Sequence, residues 1–154
     1  MSRDLWRAAR HRSGIALSGD VLIDHKPLRV ALVVSELRAG GMERVVVHLA
    51  KGLSQRSIET MVICIQNPGE LASELKSINI RLESLGSMCS MDIKAVWLLR
   101  RLIKEFSPSI INIHDYASTP YIISTKWLIN CAPVIFTAHG LLYEGFEKLR
   151  GRYR

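Results

Sequence analysis

The residues best equipped for chemistry are two histidines, a carboxylate and a pair of glycines. His114-Asp115-Tyr116 closes one apolar run, and Thr137-Ala138-His139-Gly140 closes another. An imidazole can donate to a phosphate or a hydroxyl near neutral pH. A carboxylate beside it can reach substrate hydroxyls, or can cap and turn the chain instead. Gly40 and Gly41 let the backbone turn tightly and approach a bound group. The helix that follows them offers free N–H groups and the positive end of its dipole, a place for a phosphate or another anion. Each feature also has a plainer reading: a simple turn for the glycines, a hydrogen-bonded loop for His114. Glu43 in the first helical turn complements the helix dipole, and Arg44 either meets a phosphate or stays solvated.

These groups need a scaffold, and the chain supplies one. Leu28 to Val34 is a short valine-rich run, as expected of a parallel strand covered on both faces. After the glycines, Met42 to Leu53 places Val46, Leu49, Ala50 and Leu53 on one helical face. Glu59 to Ile65 reads as a second strand, Asn67-Pro68-Gly69 as a turn, and Glu70 to Ser77 as a short helix. Ile80 to Leu85 alternates like a strand. Asp92 is a fitting N-cap for a helix from Ile93 to Phe106, which Ser107-Pro108 stops. Ile110 to His114 is a fourth strand, apolar except for Asn112. Ser118 or Thr119 can cap a helix with Pro120 in its first turn, running to about residue 130. Pro133 to Thr137 is a fifth strand.

Five strands alternating with helices imply an α/β fold: a doubly wound, mostly parallel Rossmann-like sheet with helices on both faces. In such sheets ligands bind beyond the carboxyl ends of the strands, where strand order reverses. Residues 35–43, 114–118 and 137–140 all fall at those ends and are expected to converge on one crevice.

At 154 residues the chain is sized for one domain with a real core. Hydrophobic residues make up 48% and charged residues 23%, which is the composition of a folded globular protein. The net charge of +7 favours phosphorylated ligands, acidic membrane surfaces or nucleic acid without choosing among them. No recognition motif supports nucleic acid. Cys64, Cys89 and Cys131 are odd in number and lack metal-ligand spacing, which points to a reducing, cytoplasmic compartment. No apolar run approaches the about 18 residues of a membrane span, and the N-terminus lacks a secretory signal's apolar core. Residues 1–27 form a basic leader, expected to be loosely ordered, in which Leu5, Trp6 and Ala9 could line a short amphipathic helix on an anionic membrane. Residues 148–154 read as a basic helix cut short. The glycine pair is neither a dinucleotide fingerprint nor a P-loop, and no nucleophile elbow or metal-ligand cluster is visible.

Three stretches together resemble the N-terminal domain of a family 4 glycosyltransferase, a retaining group with the two-domain GT-B fold. They are the strand-Gly40-Gly41-Met42-Glu43-Arg44-helix unit, IINIHDY ending at Tyr116, and VIFTAHG ending at Gly140. They lie in the family's order, and the likeness spans roughly residues 28–147. The resemblance implies transfer of a sugar from a nucleotide-sugar donor to a glycan or lipid-linked acceptor, with no cofactor and no metal. It implies that Gly40 and Gly41 approach the donor diphosphate or sugar. His139 would contact the donor sugar as the catalytic group, through positioning and charge stabilisation. His114 and Asp115 would line the acceptor side, with Glu43 meeting the acceptor or staying structural. Bacterial cell-surface polysaccharide synthesis, at or near the inner face of the plasma membrane, would suit such a protein.

One departure stands against the match. The family's second domain carries two glutamates spaced E-x7-E that hold the donor, and no two glutamates here have that spacing. The expectation is half an enzyme without its donor-binding domain, from a split or truncated frame or an isolated domain, and inactive alone. The alternative is a non-catalytic Rossmann-like module that partners a separately encoded donor domain.

Overall fold

A computed structural model of the protein describes residues 27–89, 91–128 and 132–139. The expected basic leader up to residue 26, Cys131, Gly140 and the basic tail lie outside the described residues.

Among the described residues, nine elements alternate as the hydrophobic pattern predicts. They are β1 (Arg29–Val34), α1 (Gly41–Gln55), β2 (Glu59–Cys64), α2 (Ala72–Ser77), β3 (Arg81–Ser84), α3 (Ile93–Phe106), β4 (Ile110–Ile113), α4 (Thr119–Leu128) and β5 (Val134–Phe136). The strands form one sheet in the order β3-β2-β1-β4-β5, and all four pairings are parallel. Strand order therefore reverses between β1 and β4, the position at which doubly wound sheets open their ligand crevice.

Two apolar layers hold the sheet, and β1 shows why. Its side chains point alternately to opposite faces. Ala31 and Val33 join a cluster with Met61, Ile63, Leu99 and Ile103, which seats α3 and α4 on one face. Val30, Leu32 and Val34 join Val46, Val47, Ala50 and Leu75, which seats α1 and α2 on the other. A strand covered twice must be apolar on both faces, hence the continuous VALVV run.

Boundaries shift by a residue or two, for physical reasons. Leu28 is exposed and stays outside β1. α1 takes in Gly41 because Gly40, in an extended conformation, already serves as its N-cap. Residues 70–71 form a turn, so α2 begins only at Ala72. Asp92 caps α3 as expected, its carboxylate accepting from Lys94 N at 2.8 Å and from Ala95 N. At α4, Asp115 takes the capping work expected of Ser118 or Thr119. Its carboxylate accepts from Ser118 N at 2.7 Å, while Thr119 Oγ1 donates back to the Asp115 carbonyl.

Candidate functional site

At the switch point, Asp115 links the loops that follow the two central strands. β4 ends at Ile113, and its parallel pairing with β1 brings residues 114–115 beside Ser35. The Asp115 carboxylate accepts from the backbone N–H of Ser35 and, at 2.9 Å, from its hydroxyl. With the Ser118 N–H, three donors converge on one half-buried carboxylate. Asp115 thus ties the loop after β1 to the loop after β4.

The second tie joins β4 to β5. His114 N donates to Val33 O at 3.0 Å, and Thr137 N donates to Ile113 O at 2.8 Å, so both histidine-bearing turns extend the sheet's own ladder. Thr137 Oγ1 also bonds Asn112 Oδ1 at 2.9 Å. His114 Nδ1 then lies 2.8 Å from His139 Nε2, with the two rings stacked 5.1 Å apart. His114 is only 2% exposed, while His139 is half-buried. Burial pushes the His114 pKa down from 6.5 to about 4. His139 adds to that, and the opposing pull of the Asp115 carboxylate does not offset it. His114 is therefore neutral at physiological pH.

The glycine loop stands over β1. Gly40 carries no side-chain cap for α1, and Glu43 folds back until its carboxylate occupies the space a Gly40 Cβ would take. Gly41 faces open space, with nothing within 4 Å of where its Cβ would be. Arg44 is exposed and lies 4.0 Å from the Glu74 carboxylate, a long ion pair on the outer face of α1. The loop is pinned from behind. Leu71 N donates to Leu37 O at 3.0 Å and Ala39 N to Glu70 Oε2 at 3.1 Å, while Gly69 lies flat against the Leu37–Arg38 backbone.

The structure thus brings His114 and His139 into contact and sets Asp115 beside Ser35. Among the described residues, no hydrogen bond joins Gly40, Gly41 or Glu43 to the histidines. They share the crevice only through adjacent strand ends. Negative charge also reaches this end of the sheet. The buried Cys64 thiol, at the end of β2, is pushed up to about 12 by desolvation and then by Glu36 and Asp115. Among the described residues, no group of three or more His, Cys, Asp or Glu side chains is placed to hold a metal ion.

The positioning roles of three residues escaped the sequence reading. Ser35 is the first polar residue after an apolar strand. Asn112 is the one polar residue within an otherwise apolar strand, a signal visible beforehand. Gly69 was read only as a turn residue. An apolar recess of about 370 Å³ lies between β4, β5 and α4, walled by Ile113, Tyr116, Ile122, Ile123 and Phe136.

Sheet order and helix placement together define a Rossmann-like α/β domain. More narrowly, the chain belongs to Glycosyltransferase Family 4, whose sequence pattern matches residues 39–154. Among solved structures it is similar to a glycosyltransferase from Rickettsia africae ESF-5. The identity there is 19% and the TM-score 0.62, over 83% of this chain and 34% of the other. It is also similar to the lipopolysaccharide outer core galactosyltransferase WaaB in its apo form. The identity is 20% and the TM-score 0.56, over 73% of this chain and 33% of that one. At such identities the likeness is one of fold. The chain spans about a third of the length of these structures. A comparison with curated proteins returned no match.

Proposed function

We propose that this domain is the acceptor-side half of a retaining glycosyltransferase of the hexosyltransferase type. It would move a sugar from a nucleotide-sugar to a hydroxyl of a glycan or lipid-linked acceptor, without a metal. The observation that carries this reading is the convergence at the β1–β4 switch point. The open turn at Gly40-Gly41, the Asp115 clamp and the His114–His139 pair all sit at neighbouring strand ends. Family membership supplies the chemistry.

In this reading Gly40 and Gly41 let the donor's phosphates or sugar approach the α1 N-terminus, where backbone N–H groups favour negative charge. His139 faces the donor sugar and stabilises charge that develops as the glycosidic bond to the nucleotide breaks. Glu43 lies beside Gly40, where an acceptor hydroxyl would enter. Asp115 holds the two loops in register. Its carboxylate already accepts three hydrogen bonds, so its share in acceptor binding is mainly positional. A second domain would grip the nucleotide, and residues 1–154 by themselves would transfer no appreciable sugar.

A role in bacterial cell-surface polysaccharide synthesis fits a fold neighbour described as a lipopolysaccharide galactosyltransferase. Work at the cytoplasmic membrane face fits the net charge of +7, because basic side chains are drawn to anionic lipid. No helix among the described residues is long and apolar enough to cross a membrane.

The test is a transfer assay with a panel of nucleotide-sugars and lipid-linked acceptors. Purified residues 1–154 are assayed alone and with a family 4 donor domain added in trans or fused behind residue 154. Transfer only when the donor domain is present, with the anomeric configuration kept, is the expected result. Transfer by residues 1–154 alone overturns the half-enzyme reading, and inverted product overturns the retaining one.

A further inference from the structure

We propose that His114 is a positioning residue that fixes the tautomer of His139, leaving His139 Nδ1–H as a permanent hydrogen-bond donor at the crevice. The inference rests on the proposed reading that His139 meets the substrate.

The geometry allows two neutral arrangements of the 2.8 Å contact between His114 Nδ1 and His139 Nε2. In the first, His114 Nδ1–H donates to His139 Nε2. His114 Nε2 is then a bare lone pair, and the His139 proton must sit on Nδ1. In the second, His139 Nε2–H donates to His114 Nδ1, which forces the His114 proton onto Nε2. That atom is buried and has no partner among the described residues. A buried N–H without an acceptor is among the costliest and rarest of unsatisfied groups, whereas an unfilled lone pair is tolerated more easily. The first arrangement therefore prevails.

A third state, with His114 doubly protonated, would put a charge where water cannot reach it. Desolvation opposes that, and the groups facing the ring are His139 and the Asp115 carboxylate, whose attraction is too weak to reverse it. His114 consequently acts as a fixed, neutral donor.

The consequence lies in His139. Its Nδ1 has no protein partner among the described residues, and the residue is half-buried at the crevice rather than sealed inside it. A ring locked as Nδ1–H offers a neutral donor there. It suits groups rich in lone pairs, such as phosphate oxygens and sugar hydroxyl oxygens accepting a bond. The opposite tautomer would offer a lone pair, which repels phosphate oxygen. The buried histidine thus selects the class of atom its neighbour can bind, and His114 acts on the substrate only through His139.

The experiment is a long-range 1H–15N correlation spectrum of histidine-labelled residues 1–154 at pH 7.5, with the two rings assigned by His114→Asn and His139→Gln. Both rings are expected as Nδ1–H tautomers. In His114→Asn the side-chain amide takes the place of Nδ1–H, and the His139 pattern should persist. In His114→Leu it should collapse to the averaged pattern of a free imidazole. A wild-type His139 carrying its proton on Nε2 overturns the proposal, even if His114→Leu does not fold. So does an unchanged His139 pattern in a folded His114→Leu protein. No sugar transfer enters the readout, so failure here is distinct from failure of the glycosyltransferase reading.

Discussion

The carboxylate of Asp115 accepts both the backbone N–H and the hydroxyl of Ser35, a residue 80 positions earlier in the chain. The bond crosses the point where strand order reverses, so it joins the two loops that any ligand must part. Removing the carboxylate strands the Ser35 and Ser118 N–H groups as well as the hydroxyl. Asp115→Ala should therefore cost about 2–3 kcal/mol, while Ser35→Ala, which deletes a single bond, should cost about 1 kcal/mol. Urea denaturation of the two variants and the wild type measures the difference. Equal losses in both variants would mean that Asp115 acts through something other than this clamp.

Acid should weaken the fold through His114. In the unfolded chain this histidine titrates near its ordinary value of 6.5, whereas in the fold its pKa is about 4. Between those values the unfolded chain holds the extra proton, so stability falls as pH drops from 6.5 toward 4 and levels off below. The full loss is at most about 3 kcal/mol, given 1.36 kcal/mol per pKa unit. Above pH 6.5 both states are neutral at this site and no dependence arises from it. His114→Asn cannot titrate and should lack this slope. Comparing unfolding free energies of the two proteins from pH 4 to 8 isolates it, because other groups cancel in the difference. Parallel curves would refute the assignment.

Tyr121 holds the loop before α3 to α4 by one hydroxyl. The ring is 1% exposed. Its oxygen accepts from Asp92 N at 3.1 Å, donates to Cys89 O at 2.9 Å, and sits 2.8 Å from the buried Ser87 hydroxyl. Tyr121→Phe keeps the packing and orphans the Asp92 N–H, while Ser87 Oγ still donates to Cys89 O at 3.1 Å, so it should cost about 1–2 kcal/mol. Because the lost bonds belong to one loop, amide exchange should quicken at Ser87, Cys89 and Asp92 well before the central strands respond. Uniformly faster exchange across the sheet would argue for a global role instead.

The sheet was legible because most strands are marked by apolar runs and several turns by Gly, Pro or Asn. A two-faced buried strand such as Val30–Val34 can hardly be read otherwise. Asp92 was legible as a cap because capping is local in sequence. His114 and His139 were legible as strand-end residues, and the parallel sheet puts strand ends together. Their hydrogen bond was not legible, because it depends on the order β4-β5 and on two particular rotamers. The Asp115–Ser35 clamp escaped for the same reason. A carboxylate that could cap, turn or bind declares its choice only once β1 is known to lie beside β4. Gly69 was hidden too. A proline–glycine turn explains itself locally, and nothing in the sequence shows that the Leu37–Arg38 backbone lies against it.

Gly69 and Gly41 make a pair that separates scaffold from site. A Cβ on Gly69 would sit 2.3 Å from Leu37 O and 2.5 Å from Arg38 N, both backbone atoms that cannot swing aside. Gly69→Ala should cost about 1–3 kcal/mol of overpacking, and it should displace the glycine loop that Leu37 begins. A Cβ on Gly41 meets nothing within 4 Å, and the residue is the first of a helix, so alanine there suits the backbone. Gly41→Ala should leave stability unchanged or raise it by about 0.4–1 kcal/mol through the unfolded state. If that open space is where the donor approaches, the same methyl group should lower sugar transfer on the order of 10-fold once a donor domain is supplied, since small displacements at a reacting centre are costly. Thermal unfolding and transfer rates of both variants, measured side by side, decide the matter. A Gly41→Ala protein that is stable and fully active would remove the glycine pair from the site and leave it a turn.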